Sequence, residues 1–198
     1  MVAKSAPMVL RIYFALICQC LLVPAYADQS LQAWIDTALP GSILRLPPGT
    51  YRGPGVITKP LTLEGMGKVV IDGEAKGTVL TIKADRVTIR GLLLRRSGNS
   101  HDAIDGGIMV SEGNQLLIEN NILEDVLFGI SLHRTTDSIV RHNRIRSRGT
   151  DSADRGDGLR LWYSTGNRIE DNDIAHIRDI TVSNSPHNRY SGNTIRDS

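Results

Sequence analysis

The feature that most limits how this chain can fold is a short pattern that keeps returning. From Gly107 onward an apolar residue is followed three positions later by Asn, and two positions after that by Ile. The frame reads Leu117, Asn120, Ile122, then Val140, Asn143, Ile145, then Ile169, Asn172, Ile174, then Tyr190, Asn193, Ile195. Its asparagines are 23, 29 and 21 residues apart. A second register, the alternating pairs Ile108/Val110, Ile130/Leu132, Leu159/Leu161 and Ile180/Val182, returns at 22, 29 and 21. Two patterns that drift together mark a true repeat. Each unit alternates with period two, which builds short strands and not the 3.6-residue stripe of a helical solenoid. A leucine-rich repeat would need more leucines and its Asn in another frame. Strands and turns in units of about 22 residues predict an all-β chain, a right-handed parallel β-helix with three strands per coil.

In such a stack each position lies about 4.8 Å above its equivalent in the coil before. An interior Asn can then bond both the turn backbone and the Asn of the next coil, offsetting a burial cost of a few kcal/mol, roughly. Asn120, Asn143, Asn172 and Asn193 are the expected ladder. Residues 79–82 and 87–91 read as an earlier coil with Gly91 in the Asn position, and 61–63 with 69–73 as another. The coils are expected over residues 41–198. Residues 28–40 precede them as a short amphipathic helix, with Ser30 as N-cap and Leu31, Trp34, Ile35 and Ala38 on one face. A helix there covers the open edge of the first coil. The sequence stops at Ser198, just after a coil's Ile195. That end is expected to be uncapped, and the chain to be the N-terminal part of a longer protein or to have this end covered by a partner.

The first 27 residues are of another kind. Lys4 and Arg11 precede an apolar stretch over residues 12–25, and Ala25-Tyr26-Ala27 offers the small-x-small pattern of signal-peptidase cleavage. The run falls short of the about 20 apolar residues that span a bilayer. Residues 1–27 are therefore expected to be a cleaved export signal, leaving a periplasmic protein with no transmembrane span. The chain has 198 residues, 23 basic and 21 acidic; without Lys4 and Arg11 the exported part carries 21 of each. A chain with no net positive field does not gather nucleic acid. Both cysteines, Cys18 and Cys20, leave with the signal, which rules out disulfides and thiolate metal sites in the exported part.

Coil spacing also locates the insertions. Asn143 to Leu159 takes 16 residues and Gly91 to Ile108 takes 17, against 10 for Asn120 to Ile130 and 8 for Asn172 to Ile180. Both long turns leave the same corner two coils apart, with bases about 10 Å from each other. They carry His101, Asp102 and Asp105 in one, and Asp151, Asp154, Arg155 and Asp157 in the other. Beside them runs an outward column of Ser111, His133, Trp162 and Ser183. Long polar turns on a rigid scaffold are where function concentrates, and an outward Trp can stack a sugar or anchor a protein. The candidate interaction surface is thus His101, Asp102, Asp105, His133, Asp151, Asp154, Arg155, Asp157 and Trp162. No catalytic residue is assigned, and no metal ligand set is legible.

Residues 46–53 (Leu-Pro-Pro-Gly-Thr-Tyr-Arg-Gly), the Asn-x-Ile coils, and Asp154-Arg155-Gly156-Asp157-Gly158-Leu159-Arg160-Leu161 together resemble the NosD family, within the broader pectin-lyase-like β-helices. The likeness runs from about Gly41 to Ser198, the first part of such a protein. It implies a periplasmic accessory protein for copper-centre maturation of nitrous oxide reductase. The implied partners are an ABC-type ATPase and permease, a copper chaperone and the reductase. Copper(I) prefers thiolate and thioether ligands, yet the exported part has no Cys and only Met66 and Met109. Its five histidines, His101, His133, His142, His176 and His187, are scattered among the coils. No cofactor is expected in the chain itself, with copper handed over at a shared interface. The competing reading is a carbohydrate-active enzyme, a lyase, hydrolase or C5-epimerase. Asp102 or Asp105 opposite Asp154 or Asp157 would supply the carboxylate pair, and His101 a proton shuttle.

Overall fold

The computed structural model describes residues 30–149, 151 and 154–198, so the export signal expected over residues 1–27 lies outside the described residues. The period-two segments form strands that stack parallel, coil upon coil. One face is a six-stranded sheet of Gly55–Ile57, Leu80–Ile82, Gly106–Val110, Phe128–His133, Leu159–Trp162 and Ile180–Ser183. The register follows the apolar pairs: Ile108 lies beside Ile130, Ile130 beside Leu159, and Leu159 beside Ile180. The other two faces merge into one twelve-stranded sheet, because the long strands Thr62–Asp72 and Thr88–Arg95 run through the corner between them. A short arc pairs Gly113–Asn114 with Thr135–Thr136. The architecture is an all-β, right-handed parallel β-helix. Its interior is filled by aliphatic side chains, among them Ile71, Leu94, Ile118, Leu132, Ile145 and Ile174, nearly all fully buried.

At the corners the chain turns on single residues of positive φ. Gly91 (φ 65°), Asn120 (54°), His142 (53°), Asp171 (52°) and Gly192 (66°) hold one corner in successive coils. This column corrects the expected ladder. Asn120 is exposed at the left-handed corner, and Asn121 beside it points inward, 1% exposed. The ladder is therefore Asn121, Asn143, Asn172 and Asn193. The Asn143 Oδ1 accepts from the Asn121 N–H (3.0 Å) and Nδ2 (3.1 Å), while Asn121 Nδ2 also donates to the Ile89 carbonyl at 3.0 Å. Asn172 and Asn193 repeat the pattern one and two coils on. The column begins at Leu92, whose N–H donates to Asn121 Oδ1 at 3.1 Å; Gly91 shares the corner with Asn120. Asn121 makes the spacings 22, 29 and 21, equal to those of the apolar pairs.

Two further interior columns serve the same purpose. Asn188 accepts from Asn167, Asn167 from the Ser138 N–H, and the Ser138 hydroxyl from the Leu116 N–H (2.9 Å). Ser185 accepts from the Ser164 N–H, and Ser164 from the Thr135 N–H. Each side chain satisfies a corner peptide that would otherwise be buried without a partner.

The outer surface carries a charge pattern in the same register. Arg45, Glu64, Arg90, Glu119, Arg141 and Glu170 occupy one column in six consecutive coils, alternating in sign. Arg45 meets Glu64 at 2.8 Å, Arg90 meets Glu64 at 3.0 Å, and Arg141 meets Glu119 at 2.7 Å. Pairs of this kind at the surface are screened by solvent and hold the wall only weakly.

At the N-terminal edge the helix is Leu31–Thr37, shorter than the expected 28–40, with Leu31 and Ile35 buried. The Ser30 side chain makes no cap bond; its backbone instead bridges to Arg52. Gln32 closes the first strand, its Oε1 accepting from the Val56 N–H at 2.7 Å and its Nε2 donating to the Val56 carbonyl at 3.3 Å. In the last coil Val182, Tyr190 and Ile195 are about half-exposed.

Candidate functional site

The two long turns do share a corner. The first runs from the end of Thr88–Arg95 to Gly106–Val110, the second from Arg144–Ser147 to Leu159–Trp162, and the strand Phe128–His133 lies between their exits. Arg148, at the base of the second turn, donates to the Ser97 carbonyl at the base of the first (2.5 Å) and to the Asp125 carbonyl between them (2.8 Å). Phe128 fills the space beneath. It is 1% exposed yet stands apart from the interior apolar cluster. The His101 ring meets it edge-on at 5.6 Å, and the Arg160 guanidinium lies over it at 5.3 Å. Gly156 passes so close that a Cβ there would stand 2.5 Å from the Leu127 carbonyl and 2.9 Å from the Phe128 ring.

This packing divides the expected surface residues. Asp105 and Asp157 are buried, 8% and 2% exposed, and are removed from the interaction surface. Asp105 Oδ2 accepts from the Ser100 N–H at 2.9 Å and pins the first turn. Asp157 accepts from Arg178 (2.9 Å) and Thr181 (2.8 Å), with Arg160 at 3.7 Å. A carboxylate between a short chain of donors is a brace, because freeing it would leave buried charges unpaired. His101, Asp102, Asp151 and Asp154 are exposed. Arg155 turns away from the first loop, donating to the Gly149 and Asp197 carbonyls at 3.2 Å each.

Beside the corner, the outer face of the six-stranded sheet holds a cleft of about 580 Å³. Its floor is the outward column Thr81, Met109, Ser131 and Arg160, in register in four successive coils. A parallel column of Lys83, Ser111, His133 and Trp162 forms one wall, and Ala103 and Ile104 of the first turn form the other. His133 and Trp162 are direct cross-strand neighbours, and Trp162 is 39% exposed. The cleft thus joins two of the expected surface residues to the rim of the first turn. It includes none of Asp102, Asp105, Asp151, Asp154 and Asp157. Phe128, Arg148, Arg160 and Lys83 were not expected. The one available signal was composition, since Phe128 is the only phenylalanine after Phe14.

Among the described residues no group of three or more His, Cys, Asp and Glu is placed to hold a metal ion. His142, His176 and His187 occupy left-handed corner positions of three separate columns. Among the described residues no helix is long and apolar enough to cross a membrane.

Residues 69–198 match the family described as "Right handed beta helix region". Two similar proteins are both named "Probable ABC transporter binding protein NosD". The one from Pseudomonas aeruginosa is 32% identical over 133 residues, 66% of this chain and 31% of that protein. The one from Stutzerimonas stutzeri is 32% identical over 137 residues, 68% of this chain and 31% of its own length. The matched part therefore spans about a third of these relatives.

Proposed function

The chain belongs to the right-handed β-helix family, and from that premise we propose that it is a NosD-like accessory binding protein working beside an ABC transporter. It acts in the periplasm, in the maturation of the copper centres of nitrous oxide reductase. Its partners are the transporter's permease and ATPase, a copper chaperone and the reductase. Copper is cargo that passes at a shared interface, and the chain supplies the rigid wall against which partners are held. The observation that carries a binding role is the fate of the carboxylates. Hydrolysis of a glycosidic bond needs two of them facing the substrate, about 5–9.5 Å apart. Here Asp105 and Asp157 brace the turns from within, the exposed Asp102 and Asp154 lie outside the cleft, and the cleft is walled by hydroxyls, cations and Trp162.

The test is co-purification of the tagged exported protein with the permease and ATPase of an ABC transporter co-expressed with it, expected to be stoichiometric and lost on unfolding. Incubation with alginate and pectate is expected to yield no new chain ends and no epimerised units. Turnover of either polymer that Asp102→Ala abolishes would overturn the accessory role.

A further inference from the structure

The cleft on the six-stranded face has a chemistry of its own. Its cationic side chains are Lys83 and Arg160, and no carboxylate lines it. Lys83 takes part in no ion pair among the described residues, so its charge is uncommitted. Ser131 is 6% exposed, and its hydroxyl faces the cleft without a protein partner among the described residues. At the far end stands Trp162, with Met109 and Ile104 as further apolar lining. Lys83 and Trp162 lie in the same column, three coils apart, which is about 14 Å along the stack. An extended peptide of about four residues has that length.

We propose that this cleft binds an extended acidic segment of a protein partner, a carboxylate at Lys83 and an apolar or aromatic side chain about four residues away on Trp162. The proposal deepens the accessory reading and rests on it for the identity of the partner. Charge complementarity selects the acidic end, because an uncommitted lysine in a wall free of carboxylates attracts an anion and repels a basic segment. Trp, Met and Arg are the side chains that supply binding energy at the buried centre of protein interfaces. A neutral glycan fits less well, since the lining offers no amide or carboxylate to take up sugar hydroxyls in pairs. The Thr81 and Ser131 hydroxyls, two coils apart on the floor with Met109 between them, give the backbone of the bound segment donors and acceptors.

The experiment titrates the full chain with a fluorescein-labelled pentapeptide, Glu-Asp-Gly-Leu-Phe with blocked ends, by fluorescence anisotropy. A counterpart with two lysines in place of the acids is the control. The acidic peptide is expected to bind at least about tenfold more tightly than the control, and Lys83→Glu and Trp162→Ala each to weaken it about tenfold or more. Unchanged thermal melting of both variants would show that the loss is local. Equal binding of the two peptides, or indifference to Lys83→Glu, would overturn the proposal. So would displacement of the peptide by hexagalacturonate at lower concentration than unlabelled peptide, which would give the cleft to an acidic glycan. Co-purification with the transporter is scored on the same variants. If the wild-type chain binds peptide but not the transporter, the accessory role fails and the cleft assignment stands. If Lys83→Glu loses the peptide yet keeps the transporter undiminished, the cleft is not the transporter's docking site and that link is overturned.

Discussion

Arg148 and Ser97 are 51 residues apart in sequence, and the Arg148 guanidinium donates to the Ser97 carbonyl at 2.5 Å. A whole coil lies between them. The same side chain reaches the Asp125 carbonyl in that middle coil, so one residue fastens three coils at the corner from which both long turns depart. Replacing Arg148 with Met keeps much of the packing and removes the donors. Losing hydrogen bonds from a charged donor to partly buried acceptors costs about 1–3 kcal/mol. The turns are expected to open first, so amide exchange over residues 97–105 and 148–158 should accelerate before that of the strands. Uniform acceleration over the whole chain would mean that Arg148 has no special hold on the corner.

Adjacent asparagines provide a sharp contrast. Asn143→Ala removes the acceptor of the Asn121 N–H and the donor to the Ile118 carbonyl (2.9 Å), leaving both buried. A loss of about 2–4 kcal/mol is expected in urea denaturation, roughly two unsatisfied groups. Asn120→Gly, at a left-handed corner where Gly is at ease, should change stability by less than about 0.5 kcal/mol. Equal effects at the two positions would contradict the ladder.

Gly156 tests the fit of the second turn over Phe128. An added methyl group would press on the Leu127 carbonyl and the ring, and neither can retreat easily. Gly156→Ala is expected to destabilise by about 1–3 kcal/mol, with a change in the His101 ring signals by NMR because that ring rests on Phe128. A wild-type spectrum and stability would mean that the turn gives way freely.

Asp72 links stability to pH. Burial by itself would raise its carboxyl pKa, but hydrogen bonds from Arg96 (2.7 Å), the Glu74 N–H (2.9 Å) and Arg95 (3.0 Å) outweigh it and hold the pKa below the usual carboxylate value. A lowered folded-state pKa stabilises in full above the ordinary carboxylate range and is lost as pH falls through the lowered value. The wild-type melting temperature should therefore fall below about pH 4. Asp72→Asn should begin lower at pH 7 and fall less steeply over the same window. Parallel curves for the two proteins would exclude Asp72 as a contributor.

Much of the fold was legible because a coil stack writes its geometry into sequence spacing. Ile108, Ile130, Leu159 and Ile180 returned in step, and they lie side by side. The first ladder position was misread because two asparagines adjoin, and the frame through Asn120 preserves the local spacing to Ile122 as well as Asn121 does to Leu123. The interval of 23 against 22 in the companion register held the answer. The corner was legible too, from turn length, but the roles of its acids were not. Asp154 and Asp157 look alike in sequence; only the packing of Arg178 and Thr181 around Asp157 separates a brace from an exposed charge. The cleft was half visible, through His133 and Trp162. Lys83 follows the coil read at residues 79–82, but the long turn before Ile108 hides the register that sets it beside Ser111.

The alternating column of Arg45, Glu64, Arg90, Glu119, Arg141 and Glu170 has a consequence for how such chains lengthen and shorten. The backbone repeats with every winding, whereas the sign of the charge repeats only with every second one. Excising the winding that bears Glu119 would set Arg90 against Arg141, a juxtaposition that sheets disfavour. Excising that winding and the next restores attraction. Along this wall windings can therefore be removed without setting like charges side by side only two at a time.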